Sequence, residues 1–129
     1  MRIPFDSIIF VGGVHGSEPL PLVGLQLAGV THLVGNPLAL EKRVRYIDQD
    51  LNRAFENIHG ADHESGRARH LLERISPNAF VIDLHTASHV TVPFCVVTNK
   101  SMSVLAAIAG IEHVVYFPRS SHFISGSLI

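Results

Sequence analysis

The stretch Ser7-Ile8-Ile9-Phe10-Val11-Gly12-Gly13-Val14-His15-Gly16-Ser17-Glu18-Pro19 decides how the rest of the chain is read. An apolar run of strand length, Ser7 to Val11, enters a glycine-rich turn. Beyond Pro19 the apolar residues Leu20, Val23, Leu27 and Ala28 recur at helical spacing up to Gly29. Strand, turn and helix in that order open a βαβ unit. The turn also sets an imidazole, His15, and a carboxylate, Glu18, three residues apart at a strand end, where open α/β sheets keep their ligand sites. Glycines on both sides of His15 let the backbone bend enough for the two side chains to converge on one cation.

Outward from that stretch, short apolar runs alternate with helical periodicity. Val30 to Val34 reads as a second strand closed by Gly35-Asn36-Pro37, and residues 36–60 as an irregular, site-forming loop. Ala68, Leu71, Leu72 and Ile75 mark an amphipathic helix over Glu64 to Ile75, stopped before Pro77. Ala79 to Leu84 and Pro93 to Thr98 are expected as strands, Ser101 to Gly110 as a helix and His113 to Phe117 as a fifth strand. The pattern is that of an α/β fold with a mostly parallel sheet. Its 129 residues suit one domain, 1–129, with no repeat or linker.

Composition excludes several partners. Ten basic residues face eleven acidic ones, for a net charge of −1, and the basic residues are dispersed, so no nucleic-acid footprint exists. No apolar run nears the roughly 20 residues that span a bilayer, so no membrane partner is expected. The one cysteine, Cys95, sits in an apolar run and suits a buried strand position in a reducing, cytoplasmic compartment.

A third candidate ligand stands in Val81-Ile82-Asp83-Leu84-His85-Thr86, again an apolar strand ending in polar residues. His15, Glu18 and His85, with a fourth position left for water, make the ligand set of a catalytic rather than a structural zinc site. Such a set leaves the metal enough positive charge to acidify water and polarise a carbonyl. Asp83 is placed to support His85 from the same side of the strand. Singly, each residue has a plainer reading: His15 a polar turn residue, Glu18 an acid at a helix start, His85 a hydrogen-bonded strand-end histidine. In the loop, Arg53 is suited to clamp a carboxylate through two hydrogen bonds, with Asn52 as an amide donor beside it, and Arg45 to stabilise an oxyanion. The plainer alternative pairs these arginines with Asp48 and Asp50 on the surface. His59 and His63, with Gly60 between them, read as exposed polar residues. His89 and Thr86 are near enough in sequence to line the same pocket, and Arg119 to His122 to form a further substrate-facing loop.

The ordered segments GGVHGSEP, NPLALEKRVRYIDQDLNRAF and VIDLHTA resemble the succinylglutamate desuccinylase and aspartoacylase family, relatives of zinc carboxypeptidases. The resemblance implies a three-layer α/β/α zinc hydrolase fold, with a mostly parallel or mixed sheet, acting on N-acyl amino acids. It implies one zinc per chain held by His15, Glu18 and His85. Arg45 matches the arginine that polarises the scissile carbonyl, and Asn52 with Arg53 the pair that holds the substrate carboxylate. The family's general-base glutamate lies later than the third ligand, in a strand motif ending Glu-Xaa-Gly, which does not occur between His85 and Ile129. The chain is therefore expected to lack that base and the family's C-terminal β domain, and to be inefficient in hydrolysis alone.

The function expected is zinc-dependent hydrolysis of the linear amide of a small N-acyl amino acid, with metal-activated water, in amino-acid metabolism. Two rivals stay open: a metallocarboxypeptidase-like peptidase, and a non-catalytic module binding zinc or carboxylates. Self-association into a homo-oligomer is also compatible with the chain.

Overall fold

A computed structural model describes residues 5–118. In chain order the elements are β1 (Ser7–Gly12), α1 (Leu20–Leu27), β2 (His32–Val34), α2 (Pro37–Lys42), α3 (Leu51–Ala54), α4 (His63–Arg74), β3 (Ala79–Leu84), β4 (Phe94–Val97), a 3-10 turn (Lys100–Met102), α5 (Ser103–Ile108) and β5 (His113–Tyr116). Among the described residues they fall into two compact units, one over residues 5–86 and one over residues 87–118.

The first unit holds a parallel sheet in the order β2-β1-β3. Gly12 lies opposite both Val34 and Leu84, so all three strands end at one level. The chain leaves central β1 for β2 on one side and later returns as β3 on the other. That makes the carboxyl end of β1 a topological switch point, the place where α/β sheets open a crevice. Below it the core gathers Val11 and Val14 with Leu51, Ala54, Ala68 and Leu71, with Ile9, Leu33 and Val81 against them. Fully burying a valine or leucine side chain such as Val11 or Leu71 stabilises the fold by roughly 1.5–3 kcal/mol. Phe5 stacks on Phe80 with ring centroids 4.8 Å apart, tying the start of β1 to that of β3.

The strands expected at Ser7 and Ala79 form, the one expected over Val30 to Val34 forms only over His32–Val34, and the helix before Pro77 forms with its first turn capped by Asp62, which accepts from Ser65 N–H at 3.0 Å. Two expectations need correcting. Residues 36–60 are not an irregular loop, because Asn36 caps α2 by accepting from Ala39 N–H at 3.3 Å and Asp50 caps α3 by accepting from Asn52 N–H at 2.9 Å. On α1 the buried residues are Leu22 and Leu25, whereas Leu20, Val23 and Leu27 face outward, Leu27 being 85% exposed.

In the second unit β4 and β5 pair in parallel, Phe94 opposite His113 through Val97 opposite Tyr116. Lys100 Nζ lies 5.1 Å from the centre of the Tyr116 ring. The helix expected over Ser101 to Gly110 starts as the 3-10 turn and continues as α5. Cys95 is half-buried in β4 and unpaired. No helix of the described residues is long and apolar enough to cross a membrane.

Candidate metal centre

The turn after β1 is shaped by what presses on it. Gly13 takes φ +68°, in the left-handed region, and a Cβ there would lie 2.7 Å from a Leu22 methyl. Gly16 packs against the end of α2, where a Cβ would meet the Ala39 carbonyl at 2.1 Å and Val44 O at 2.4 Å. Gly16 N–H also donates to Arg45 O at 3.2 Å, and Glu18 N–H to His15 O at 3.1 Å. The second of these bonds folds Glu18 back over His15.

The result is a convergence of side chains around Glu18. His15 Nδ1 lies 2.8 Å from Glu18 Oε1, and His85 Nδ1 lies 3.3 Å from Glu18 Oε2. Glu18 Oε2 also accepts the Thr86 N–H at 2.8 Å. On the far side of each ring stands a second carboxylate: His15 Nε2 is 3.0 Å from Asp50 Oδ1, and His85 Nε2 is 2.7 Å from Asp83 Oδ2. The two rings sit 5.1 Å apart, tilted by 56°. His15 is buried, at 4% exposure.

The electrostatics follow from these contacts. Burial raises the Glu18 pKa, but the Thr86 N–H, the His15 hydrogen bond and the two imidazoles outweigh it, so Glu18 ends below its ordinary value. The hydrogen bond from His15 draws Asp50 far down. Burial lowers His85, yet the hydrogen bond and charge of Asp83, with Glu18 behind them, carry it above its ordinary value. Each ring thus has a carboxylate at both nitrogens. A protonated imidazole is satisfied by two such carboxylates, whereas a neutral one needs a cation, or a proton on Glu18, at one nitrogen.

A divalent cation fits that requirement. One ligand atom from each of His15, Glu18 and His85 lies within 4.8 Å of the others. Zinc bonded at about 2.1 Å in tetrahedral geometry holds its ligand atoms roughly 3.4 Å apart; here His15 Nδ1 lies 2.8 Å from Glu18 Oε1 and His85 Nδ1 3.3 Å from Glu18 Oε2. Glu18, Asp50 and Asp83 against Arg45 leave two negative charges when the imidazoles are neutral, which one divalent ion balances. Aspartates on the far ring nitrogens fix tautomer and ring direction for metal binding.

Arg45 stands at the rim. Its Nη2 donates to Asp50 Oδ2 at 3.1 Å and its Nη1 is 3.7 Å from Glu18 Oε1. The Arg45 pairing with Asp50 anticipated as the plainer reading does form, beside Glu18 rather than away from it. Asn52 and Arg53 lie on α3 one and two residues beyond Leu51; Arg53 Nη1 donates to Asn52 O at 3.3 Å. Asn52 Oδ1 and Asp83 Oδ1 are buried without a hydrogen-bond partner among the described residues. His59 is exposed, while His63 Nε2 is bonded at 3.0 Å to Asn36 Oδ1. His89 Nδ1 and Ser88 Oγ are hydrogen-bonded at 3.1 Å, in the second unit. Arg119 to His122 lie outside the described residues.

Asp50 is the residue that sequence reasoning missed. Asp50 had a local signal, its place as cap of a helix start, but nothing local said that its other oxygen reaches His15. Asp48, Asp62 and Glu64 form a second group of converging carboxylates, yet all three already accept protein N–H or O–H donors.

The profile of the succinylglutamate desuccinylase/aspartoacylase catalytic domain matches residues 4–125. The chain belongs to that family. Its α/β architecture matches solved family folds: murine aminoacylase 3 aligns with TM-score 0.72 at 22% identity, over 98% of this chain and 53% of that one. The Chromobacterium violaceum succinylglutamate desuccinylase aligns with TM-score 0.62 at 28% identity, over 87% and 47%. Among curated relatives, a probable aspartoacylase of Prochlorococcus marinus (MED4) is 30% identical over 90% of this chain and 45% of its own length. An N-acyl-aromatic-L-amino acid amidohydrolase of Xenopus laevis is 32% identical over 68% of this chain and 36% of its own. This member of the family therefore spans less than half the length of those curated relatives.

Proposed function

We propose that this chain provides the metal-binding site of a zinc-dependent hydrolase that cleaves the amide bond of N-acyl amino acids. The observation that carries the reading is the pair of imidazoles facing Glu18, each backed by its own aspartate. The family, and relatives named aspartoacylase and N-acyl-aromatic-L-amino acid amidohydrolase, support the reaction class.

His15, Glu18 and His85 would hold the ion. Zinc bound there supplies a Lewis acid that lowers the pKa of water and polarises a carbonyl. Asp50 and Asp83 keep the far nitrogens of the two rings protonated, which leaves the Nδ1 lone pairs directed at the ion. Arg45, half-exposed at the rim and 3.7 Å from Glu18 Oε1, would hydrogen-bond the carbonyl oxygen as it gains charge. Asn52 and Arg53 on α3 serve the substrate carboxylate, Arg53 through the planar fork that suits carboxylates. A carboxylate bound there is what would distinguish an N-acyl amino acid from a simple amide.

The test is the zinc content of the purified chain after brief dialysis against a weak chelator, read by elemental mass spectrometry beside His85→Ala. About one zinc per chain, lost in the variant, is expected. A folded chain that takes up no zinc would overturn the reading.

A further inference from the structure

Glu64 is fully buried, at 0% exposure, in the first turn of α4, and the chemistry above makes no use of it. Its surroundings are specific. Oε1 accepts the Ile47 N–H at 2.7 Å and Asn36 Nδ2 at 2.9 Å, while Oε2 accepts the Asp48 N–H at 3.0 Å and the Gln49 N–H at 3.3 Å. Three consecutive backbone amides turned toward one anion form the kind of nest that elsewhere binds phosphate or carboxylate ligands. Here the protein fills the nest with its own side chain.

The segment so gathered sits between two residues of the candidate site. Arg45 precedes Ile47 by two positions and Asp50 follows Gln49 directly. The same segment is fastened to the start of α4 from outside: Asp48 Oδ2 accepts the His63 N–H at 2.8 Å, and Gln49 Nε2 donates to Asp62 Oδ1 at 2.9 Å. Glu64 is itself held through Asn36, whose Oδ1 takes the Ala39 N–H and His63 Nε2.

We propose that Glu64 is a positioning residue for this site: by gathering the Ile47, Asp48 and Gln49 amides it sets Arg45 against Glu18 and Asp50 against His15. The geometric content of this inference stands without any metal, whereas its consequence for amide hydrolysis rests on the hydrolase reading above. Replacing one carboxylate oxygen by an amide group of the same size turns two acceptors into one acceptor and a donor that meets backbone donors head-on.

The test compares the 15N-labelled chain with Glu64→Gln by NMR, without metal, following the His15 ring nitrogens, the Arg45 guanidinium and the backbone amides of β1 and β3. Tryptic cleavage after Arg45 is timed in parallel. We expect the His15 and Arg45 signals to move while the sheet amides stay, with cleavage after Arg45 about tenfold faster. Unchanged His15 and Arg45 signals in a folded variant would overturn the inference. So would sheet amides that shift as far as those of the loop, the mark of a merely structural role. Should Glu64→Gln fail to fold, hydrogen exchange of the unaltered chain decides. Ile47, Asp48 and Gln49 amides exchanging at least tenfold slower than open chain support the nest, and open-chain rates refute it. A chain that takes up no zinc yet shows the expected His15 response would leave Glu64 in place and remove the hydrolase reading alone.

Discussion

At the scale of single residues, the site is defined less by Glu18 than by what stands behind the two rings. Asp83 is the sharper case. Its side chain is 3% exposed and one oxygen meets His85 Nε2 at 2.7 Å, while the other has no partner among the described residues. A buried carboxylate oxygen left unbonded is costly, and its retention fits a role in directing the ring. Asp83→Asn keeps the volume and removes the charge. We expect it to lower zinc affinity by about 10- to 100-fold without unfolding the chain, measured by competition with a fluorescent chelator. An unchanged affinity would argue that His85 needs no such support. Asp83 was legible in the sequence from its place two positions before His85 on a strand. Asp50 was not, because Asp48-Gln49-Asp50 offers two acids and only the fold decides which one reaches His15, 35 residues away.

Among elements, close approach of backbones governs the turn that carries His15. Gly16 is the point at which the β1–α1 connection touches the end of α2, and no side chain fits there. Gly16→Ala is expected to destabilise by about 3 kcal/mol, toward the upper end of overpacking costs, because backbone rather than a flexible side chain must move. The shift of the urea midpoint measures it. A loss below about 0.5 kcal/mol, the range of ordinary surface changes, would mean that the turn is not pinned. The two strands that frame the site were readable from apolar runs, since β1 and β3 are short, aliphatic and bounded by turn residues. The helices between them were less so. Asn36-Pro37 is a sound cap followed by a residue suited to a first turn, but α2 and α3 are six and four residues long, too short for periodicity to register. In α1 the opposite difficulty holds: Leu20–Leu27 is apolar at nearly every position, so the pattern does not say which stripe faces the sheet.

Over the whole molecule, the shifted groups set how stability depends on pH. Glu18, Asp50 and Glu64 all have pKa values lowered by folding from 4.5, 3.8 and 4.5. Their contribution is complete above those ordinary values and is lost as pH falls through the depressed ones. His85 is raised from 6.5, so its contribution is complete below that value and is lost as pH rises through the folded one. The metal-free chain should therefore have its highest urea midpoint between about pH 4.5 and 6.5 and lose stability on both sides. A midpoint flat from about pH 3 to 8 would contradict the contacts described.

The parallel register of β1 and β3 has a consequence for how the molecule comes into being. The Glu18–Thr86 contact joins points 68 residues apart in the chain. Closing a flexible loop of that length costs roughly 4 kcal/mol in entropy before any contact repays it. His15 and Glu18 can meet as soon as a single turn closes, but His85 joins them only after the central strands have paired. On the zinc reading proposed above, a growing chain would offer a cation two donors early and three late, and tight metal capture would then record that β1 and β3 have found each other.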